Sequence, residues 1–420
     1  MLDLQDRLDE LKGLGLYRRL RMVSGPQGPR VVLDGKPVLL LCSNNYLGLA
    51  DHPKVREAAA DAAMRWGAGC GASRLVSGNM TLHRRLEERL ASFKGTQSAL
   101  LFGSGYLANM GIVPALARKH EVVFSDELNH ASIIDGCRLA GAETFVYRHN
   151  DTEHLAWGLR QAEGRAALIV TDGVFSMDGD VAPLAEIVEL ARRHDVRVMV
   201  DEAHGTGAVG PAGRGAVADA GLEGEVDVIV GTLGKALGSY GAYVACDNVM
   251  ARYLINAARP LIFSTGLPPS AVAAAMAALG LLVEQPRRVE RLHDNAAMLR
   301  DELAREGFDV SGSETQIIPL IIGDAGLAMR ICEAALEQGV FAQAIRPPTV
   351  PAGTSRLRLA VMASHTRAEL RDAARVLAQA ALRSGFRPSS SVPVAAAQSA
   401  PASAAAIFDG DAQERLPRAA

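Results

Sequence analysis

The sequence predicts an α/β fold built around a mostly parallel sheet, and three observations predict it. Seven short β-rich runs alternate with helical stretches from about residue 98 onward. Several of these runs are almost wholly apolar, as strands covered on both faces must be. Between them, apolar residues recur at helical spacing, and strand–helix alternation of this kind builds parallel sheets.

The elements follow in order. Residues 1–45 predict a helix and then a small hairpin, with Asp34-Gly35 as its two-residue turn. An amphipathic helix comes next, carrying Leu82, Leu86, Leu90 and Phe93 on one face. The β-rich runs are Ala99–Phe102, Val122–Ser125, Thr144–Tyr147, Ala167–Thr171, Val196–Asp201, Val228–Thr232 and Tyr243–Ala245. Leu184, Ile187, Val188 and Ala191 mark one intervening helix, and Pro183 suits its first turn. The apolar run Ala271–Val283 is too short and too Ala-rich to span a bilayer, so it predicts a buried helix. After about residue 285 the pattern becomes a smaller α+β unit. The expected organisation is an N-terminal segment 1–45, a large domain 46–285, a small C-terminal domain 286–385 and a tail 386–420. From Pro388 to Ala406 the tail is Ala, Ser, Pro and Val with almost no large apolar residues, which predicts disorder.

Composition narrows the function. At 420 residues, 49% hydrophobic and 22% charged, the chain is long enough to bury large cores without disulfides or metals. A net charge of −3 gives no reason to expect nucleic acid or an anionic membrane as partner. The cysteines, Cys42, Cys70, Cys137, Cys246 and Cys332, are odd in number and scattered, with no CxxC pair. That argues against a disulfide framework or a zinc site and fits a reducing cytoplasm. The N-terminus carries Asp3, Asp6, Arg7, Asp9 and Glu10, so no apolar signal stretch is expected there.

Ligands of open α/β sheets sit beyond the carboxyl ends of the strands, and the polar residues of interest fall there. Asp201 ends the apolar run Val196–Val200. Alone it could equally cap the next helix, pair with an arginine or act in a site. Lys235 follows the run Val228–Val230 within Gly231-Thr232-Leu233-Gly234-Lys235-Ala236-Leu237-Gly238. A lone lysine after a strand is usually solvated. An Asp and a Lys at neighbouring strand ends, set among glycines that allow close approach, is a stronger signal.

Pyridoxal 5′-phosphate (PLP) chemistry needs this pair. A desolvated lysine amine captures the aldehyde and later acts as a base. An aspartate keeps the pyridine nitrogen protonated, so that the ring takes up electrons from a substrate Cα. Ser104-Gly105-Tyr106-Leu107-Ala108 opens a helix after a strand, and its N–H groups suit a phosphate. His130 and His204 fall at strand ends on the same rim, with no metal-ligand spacing.

Four segments together resemble the α-oxoamine synthases, PLP enzymes of the aspartate aminotransferase fold (fold type I). They are Asn129-His130-Ala131-Ser132, Thr171-Asp172-Gly173-Val174-Phe175-Ser176-Met177-Asp178-Gly179, Val200-Asp201-Glu202-Ala203-His204-Gly205 and Gly231-Thr232-Leu233-Gly234-Lys235. The match runs from about residue 15 to residue 380. It implies a mostly parallel seven-stranded sheet with a smaller C-terminal domain, and a homodimer with active sites at the interface. It also implies roles. Lys235 holds PLP and moves the Cα proton, Asp201 pairs with the ring nitrogen, His204 bonds the phenolic oxygen and Ser176 approaches the same region. His130 stacks on the ring and borders the substrate. Gly105, Tyr106 and Thr232 help hold the cofactor, with Tyr106 standing where the family usually has Phe. Ser264 and Thr265 reach the phosphate from the other subunit. Arg18, Arg346 and Thr349 contact substrate.

Within the family, the segment Ala344-Ile345-Arg346-Pro347-Pro348-Thr349-Val350-Pro351-Ala352-Gly353-Thr354-Ser355-Arg356-Leu357-Arg358 narrows the branch. Ser77-Gly78 and Ala203-His204-Gly205-Thr206-Gly207 support it. This branch condenses L-alanine with a pimeloyl thioester, pimeloyl-CoA or pimeloyl-acyl carrier protein, in biotin biosynthesis. The alternatives are another branch using glycine or serine or another acyl chain, such as the one joining glycine to acetyl-CoA, an aminotransferase of the same fold and a non-catalytic partner subunit.

Overall fold

The seven β-rich runs come together in one sheet. The structure is a computed structural model and describes residues 3–162 and 164–388. Across the sheet the strands run Ser98–Phe102, Ala242–Cys246, Val228–Thr232, Arg197–Asp201, Ala166–Asp172, Val122–Asp126 and Glu143–Tyr147. Ala242–Cys246 pairs antiparallel with both neighbours, and the other pairings are parallel. The sheet is therefore mostly parallel and seven-stranded.

Side-chain alternation along each strand splits the core in two. Leu100, Phe102, Val123, Val170 and Val244 pack with Ile112, Ile133 and Leu254 on one face. Leu101, Phe124, Ile169 and Ala245 pack with Leu86, Leu90, Ile187 and Leu279 on the other. Both faces are thus dry, which explains the near-continuous apolar runs. The Leu82, Leu86, Leu90, Phe93 face lies on helix Thr81–Lys94 and is buried. Leu184, Ile187, Val188 and Ala191 are buried on helix Leu184–His194. The run Ala271–Val283 falls in helix Pro269–Glu284, and among the described residues no helix is long and apolar enough to cross a membrane.

The smaller unit is an antiparallel sheet of Ile317–Gly323, Ser355–Ala360 and Gln343–Ile345. Helices Arg287–Arg305, Ala325–Glu337 and Arg367–Arg383 accompany it. The N-terminal hairpin, Arg30–Leu33 and Lys36–Leu40, turns at Asp34-Gly35, both with positive φ. Its second strand pairs in parallel with Val340–Phe341. The N-terminal segment is therefore joined to the C-terminal unit by a sheet edge, a pairing too distant in sequence to leave a local signal. At the other end Phe386 stacks on Phe308, with centroids 6.4 Å apart, so the packed body runs past residue 385. Residues 389–420, most of the expected disordered tail, lie outside the described residues.

Three neighbouring strands end in aspartates: Asp201, Asp172 and Asp126. Asp172 and Asp201 are direct cross-strand partners. This rim positions the site.

Candidate active site

Lys235 sits in the loop after strand Val228–Thr232. Thr232 Oγ1 accepts from the Gly234 N–H at 3.1 Å, and the Gly238 N–H donates to the Lys235 carbonyl at 3.0 Å. Gly238 has φ +58°, and a Cβ there would lie 2.4 Å from the Ala50 nitrogen, so only glycine lets this loop close on that segment. The Lys235 amine lies 2.7 Å from His204 Nε2. Burial pushes this amine down, the carboxylates of Asp201 and Asp172 pull it back, and Arg358 lowers it further, leaving it at about 8. At neutral pH an appreciable fraction is the free, nucleophilic base.

His204 is buried, and burial, reinforced by the charges of Lys235 and Arg358, drives its pKa well below the usual imidazole value. The ring is neutral. Its Nδ1 lies 2.6 Å from the hydroxyl of Tyr46, which is 3.1 Å from Asn44 Oδ1. The Tyr46 hydroxyl in turn receives Arg358 Nη2 at 3.5 Å. Arg358 Nη1 donates to Asn44 Oδ1 at 3.3 Å, and its Nε donates to the Ser176 carbonyl. All these partners are uncharged oxygens. Arg358 is a buried cation, 6% exposed, with no carboxylate in ion-pair reach among the described residues. Burial of an unmatched charge is costly and marks a place where an anion is expected.

Asp201 is held from the opposite side. One carboxylate oxygen accepts Asn109 Nδ2 at 2.7 Å and the other the Ala203 N–H at 2.8 Å. Asn109 also donates to Ser132 Oγ at 2.9 Å, and Ser132 Oγ lies 2.6 Å from His130 Nδ1. Asp201 and His130 are thereby connected through two buried polar groups. Asp172 accepts the His130 N–H at 2.9 Å, and its own N–H donates to Asn129 Oδ1 at 2.8 Å. Burial, and then the charge of Asp201, push the Asp172 carboxyl well above the carboxylate range. Below the turn between Asp201 and His204, a buried ion pair joins Lys94 Nζ to Glu202 Oε2 at 2.7 Å. The Val217 N–H bonds the other Glu202 oxygen at 2.7 Å.

Ser104 caps helix Gly105–Leu116 by accepting the Leu107 N–H at 3.2 Å. The Gly105 and Tyr106 N–H groups find no acceptor among the described residues. The space a Gly105 side chain would fill is open. The Tyr106 hydroxyl donates outward to Asp135. Ser264 and Thr265 line a cleft with Arg74, Phe102 and Gly103, the last two leading directly into the Ser104-Gly105 turn, and Thr265 bridges to Ser73.

The structure thus brings Lys235, Asp201, His204, His130 and Ser176 together at one rim. Arg18, Arg346 and Thr349 form a second group. Arg346 donates to the carbonyls of Gly15 and Tyr17, and the Thr349 N–H donates to the Arg346 carbonyl at 3.1 Å. The Arg346 fork, expected on a substrate carboxylate, is engaged with backbone in this chain. Four residues of the site were not assigned roles from sequence: Arg358, Asp172, Tyr46 and Asn109. Asp172 and Arg358 lay inside segments already singled out, while Tyr46 and Asn109 carried no signal. Among the described residues, no group of three or more His, Cys, Asp or Glu is placed to hold a metal.

Comparison with known proteins agrees with this geometry. A sequence model of the family described as aminotransferase class I and II matches residues 36–377. The 8-amino-7-oxononanoate synthase of Geobacter metallireducens is 55% identical over 378 residues, covering 89% of this chain and 96% of that protein. That of Citrifermentans bemidjiense is 52% identical over 384 residues, covering 90% and 98%. Among solved structures, a PLP-containing serine palmitoyltransferase from S. paucimobilis superposes with a TM-score of 0.86 at 36% identity, over 91% of this chain and 97% of that one. The 8-amino-7-oxononanoate synthase of Francisella tularensis gives a TM-score of 0.72 at 27% identity, over 83% and 99%.

Proposed function

We propose that this chain, which belongs to the α-oxoamine synthases of the class I and II aminotransferase family, condenses L-alanine with a pimeloyl thioester to give 8-amino-7-oxononanoate. The thioester is carried by coenzyme A or acyl carrier protein. A bond forms between the alanine Cα and the thioester carbonyl carbon, and the carbon–sulfur bond breaks to free the thiol. The alanine carboxylate leaves as CO2, and a proton returns to the same carbon.

The residues fit PLP. The free N–H groups and open space at Gly105 suit its phosphate, and the doubly bonded Asp201 carboxylate suits a protonated ring nitrogen. Neutral His204 suits its phenolic oxygen, and the Lys235 amine suits its aldehyde carbon. When bound, PLP supplies a carbonyl for amine capture and a ring that accepts the electron pair left at Cα.

The protein's own work follows. Lys235 Nζ, free of strong ion pairing and poised near pH 8, takes the Cα proton and returns one after decarboxylation. Arg358 holds the amino-acid carboxylate, exchanging neutral partners for a matched charge. The Tyr46–His204 bridge ties Arg358 to Lys235, so substrate anchor and base keep a fixed separation. The observation that carries this reading is that facing arrangement: a desolvated amine at one end and an unmatched buried guanidinium at the other.

We read the active unit as a cytoplasmic homodimer. Leu20, Met22, Met64, Val76 and Phe263 are strongly exposed large apolar residues, which is the chemistry of a covered face. Ser264 and Thr265 would serve the partner's phosphate, and Arg18 and Thr349 would meet the acyl chain.

Turnover with L-alanine plus pimeloyl-CoA, L-serine plus palmitoyl-CoA and glycine plus acetyl-CoA, read by product mass, tests the substrate pair. The first pair is expected to give the highest kcat/KM. A higher value for either other pair overturns it.

A further inference from the structure

His149 sits beside Asp126 at the edge of the rim, and both its ring nitrogens are engaged by carboxylates. Nδ1 is 3.0 Å from Asp126 Oδ1, and Nε2 is 2.7 Å from Asp180 Oδ2. Ionised carboxylates only accept, so both nitrogens must donate and the ring must be an imidazolium. Burial opposes that charge, but the hydrogen bonds to Asp126 and Asp180 outweigh it and lift the imidazole to about 10. The Phe175 ring stands edge-on to it, with centroids 4.4 Å apart at 89°. The neighbouring Asn150 repeats the pattern: its N–H donates to Asp126 Oδ2 and its side chain to Asp180 Oδ2, both at 2.9 Å.

The two carboxylates belong to different working loops. Asp126 ends strand Val122–Asp126 and also takes the Leu128 N–H at 2.8 Å, turning the chain toward His130. Asp180 closes the loop that contains Ser176, whose carbonyl receives Arg358 Nε. The Phe175 N–H donates to the Asp180 carbonyl at 3.0 Å, so Ser176 is tied closely to Asp180. Without a cation between them, Asp126 and Asp180 would repel.

We propose that His149 is a positioning residue, an imidazolium clamp that fixes the His130 loop against the loop whose Ser176 carbonyl aims Arg358. The proposal rests on the reading that His130 and Arg358 address the amino acid. It predicts that weakening the clamp loosens amino-acid binding selectively, because Arg358 loses its aim while Lys235, on a different loop, does not.

The test uses PLP-loaded His149→Gln and Asp180→Asn, each compared with wild type using whichever amino acid wild type binds best. Amino-acid KM and the amino-acid dissociation constant, read from the cofactor's visible absorption, are expected to rise about tenfold. The acyl-thioester KM is expected to stay within about twofold, for the same reason. In His149→Gly, added imidazole should restore amino-acid affinity, whereas neutral pyrazole should not. Unchanged amino-acid affinity in both folded variants overturns the proposal. So does an equal loss for both substrates, or equal rescue by pyrazole. If wild type binds no amino acid at all, the functional reading itself has failed, which is a separate result.

Discussion

The rim of the large sheet and the middle strand of the small sheet supply opposite kinds of candidate functional residue. On the rim, Asp201 and the Lys235 loop stand where apolar strands stop, and the chemistry begins where the pattern breaks. In the small sheet, Arg358 sits inside strand Ser355–Ala360, all six residues of which are buried. Its alternation of polar and apolar residues is that of a strand with one wet face. The polar face instead meets the loops of the large sheet and the stretch after the N-terminal hairpin, where Arg356 pairs with Asp178 and Arg358 meets Ser176, Asn44 and Tyr46. A strand end announces a site within one domain. A buried cation on a regular strand reveals one only when the facing domain is in place.

Substitutions at each location can break or sharpen that contrast. Lys235→Ala should reduce turnover by about 10³-fold or more, the worth of a positioned acid–base group, in a steady-state assay with the fold intact by circular dichroism. Near wild-type turnover would remove the rim from the account. Arg358→Gln should lower kcat/KM for the amino acid by about 10²-fold, as expected for a lost charged hydrogen-bond pair, mainly through KM. An effect confined to the acyl thioester would place the carboxylate elsewhere.

A smaller effect is expected from pH. The Lys235 amine is depressed to about 8, so its free-base fraction rises with pH up to that value and then levels. The rate at which apoprotein captures PLP should climb about tenfold per pH unit below the plateau. Stopped-flow absorbance checks this, and a plateau reached only near 10 would contradict it. The smallest effect should come from Asp172→Asn. Asp172 is pushed toward the neutral acid, and an amide oxygen can still accept the His130 N–H. Its kcat/KM should stay within about threefold of wild type, because burial and the neighbouring Asp201 charge already disfavour the ionised form that the amide replaces. A loss as large as that of Asp201→Asn would show that Asp172 works as a carboxylate.

The same contrast explains what could be read from sequence. The seven strands and the helix faces were legible because burial on both sides forces apolar runs and helical spacing. Asp201 and Lys235 were legible because they interrupt those runs. Tyr46 was not, since it follows the N-terminal hairpin and gains meaning only through His204, 2.6 Å away but remote in sequence. Asn109 looked like any polar residue in a helix until Asp201 and Ser132 closed on it. The pairing of Lys36–Leu40 with Val340–Phe341 likewise needed the folded chain, because an unpaired edge does not encode which distant strand will cover it.

The central claim is that Lys235 and Arg358 hold an amino acid so that its Cα is acylated and its carboxylate lost. Carboxyl-labelled L-alanine, incubated with the PLP-loaded enzyme and pimeloyl-CoA, tests it most directly. The account predicts labelled CO2 in step with free coenzyme A, and neither without the thioester. Labelled pyruvate with no CO2 would instead make the chain an aminotransferase.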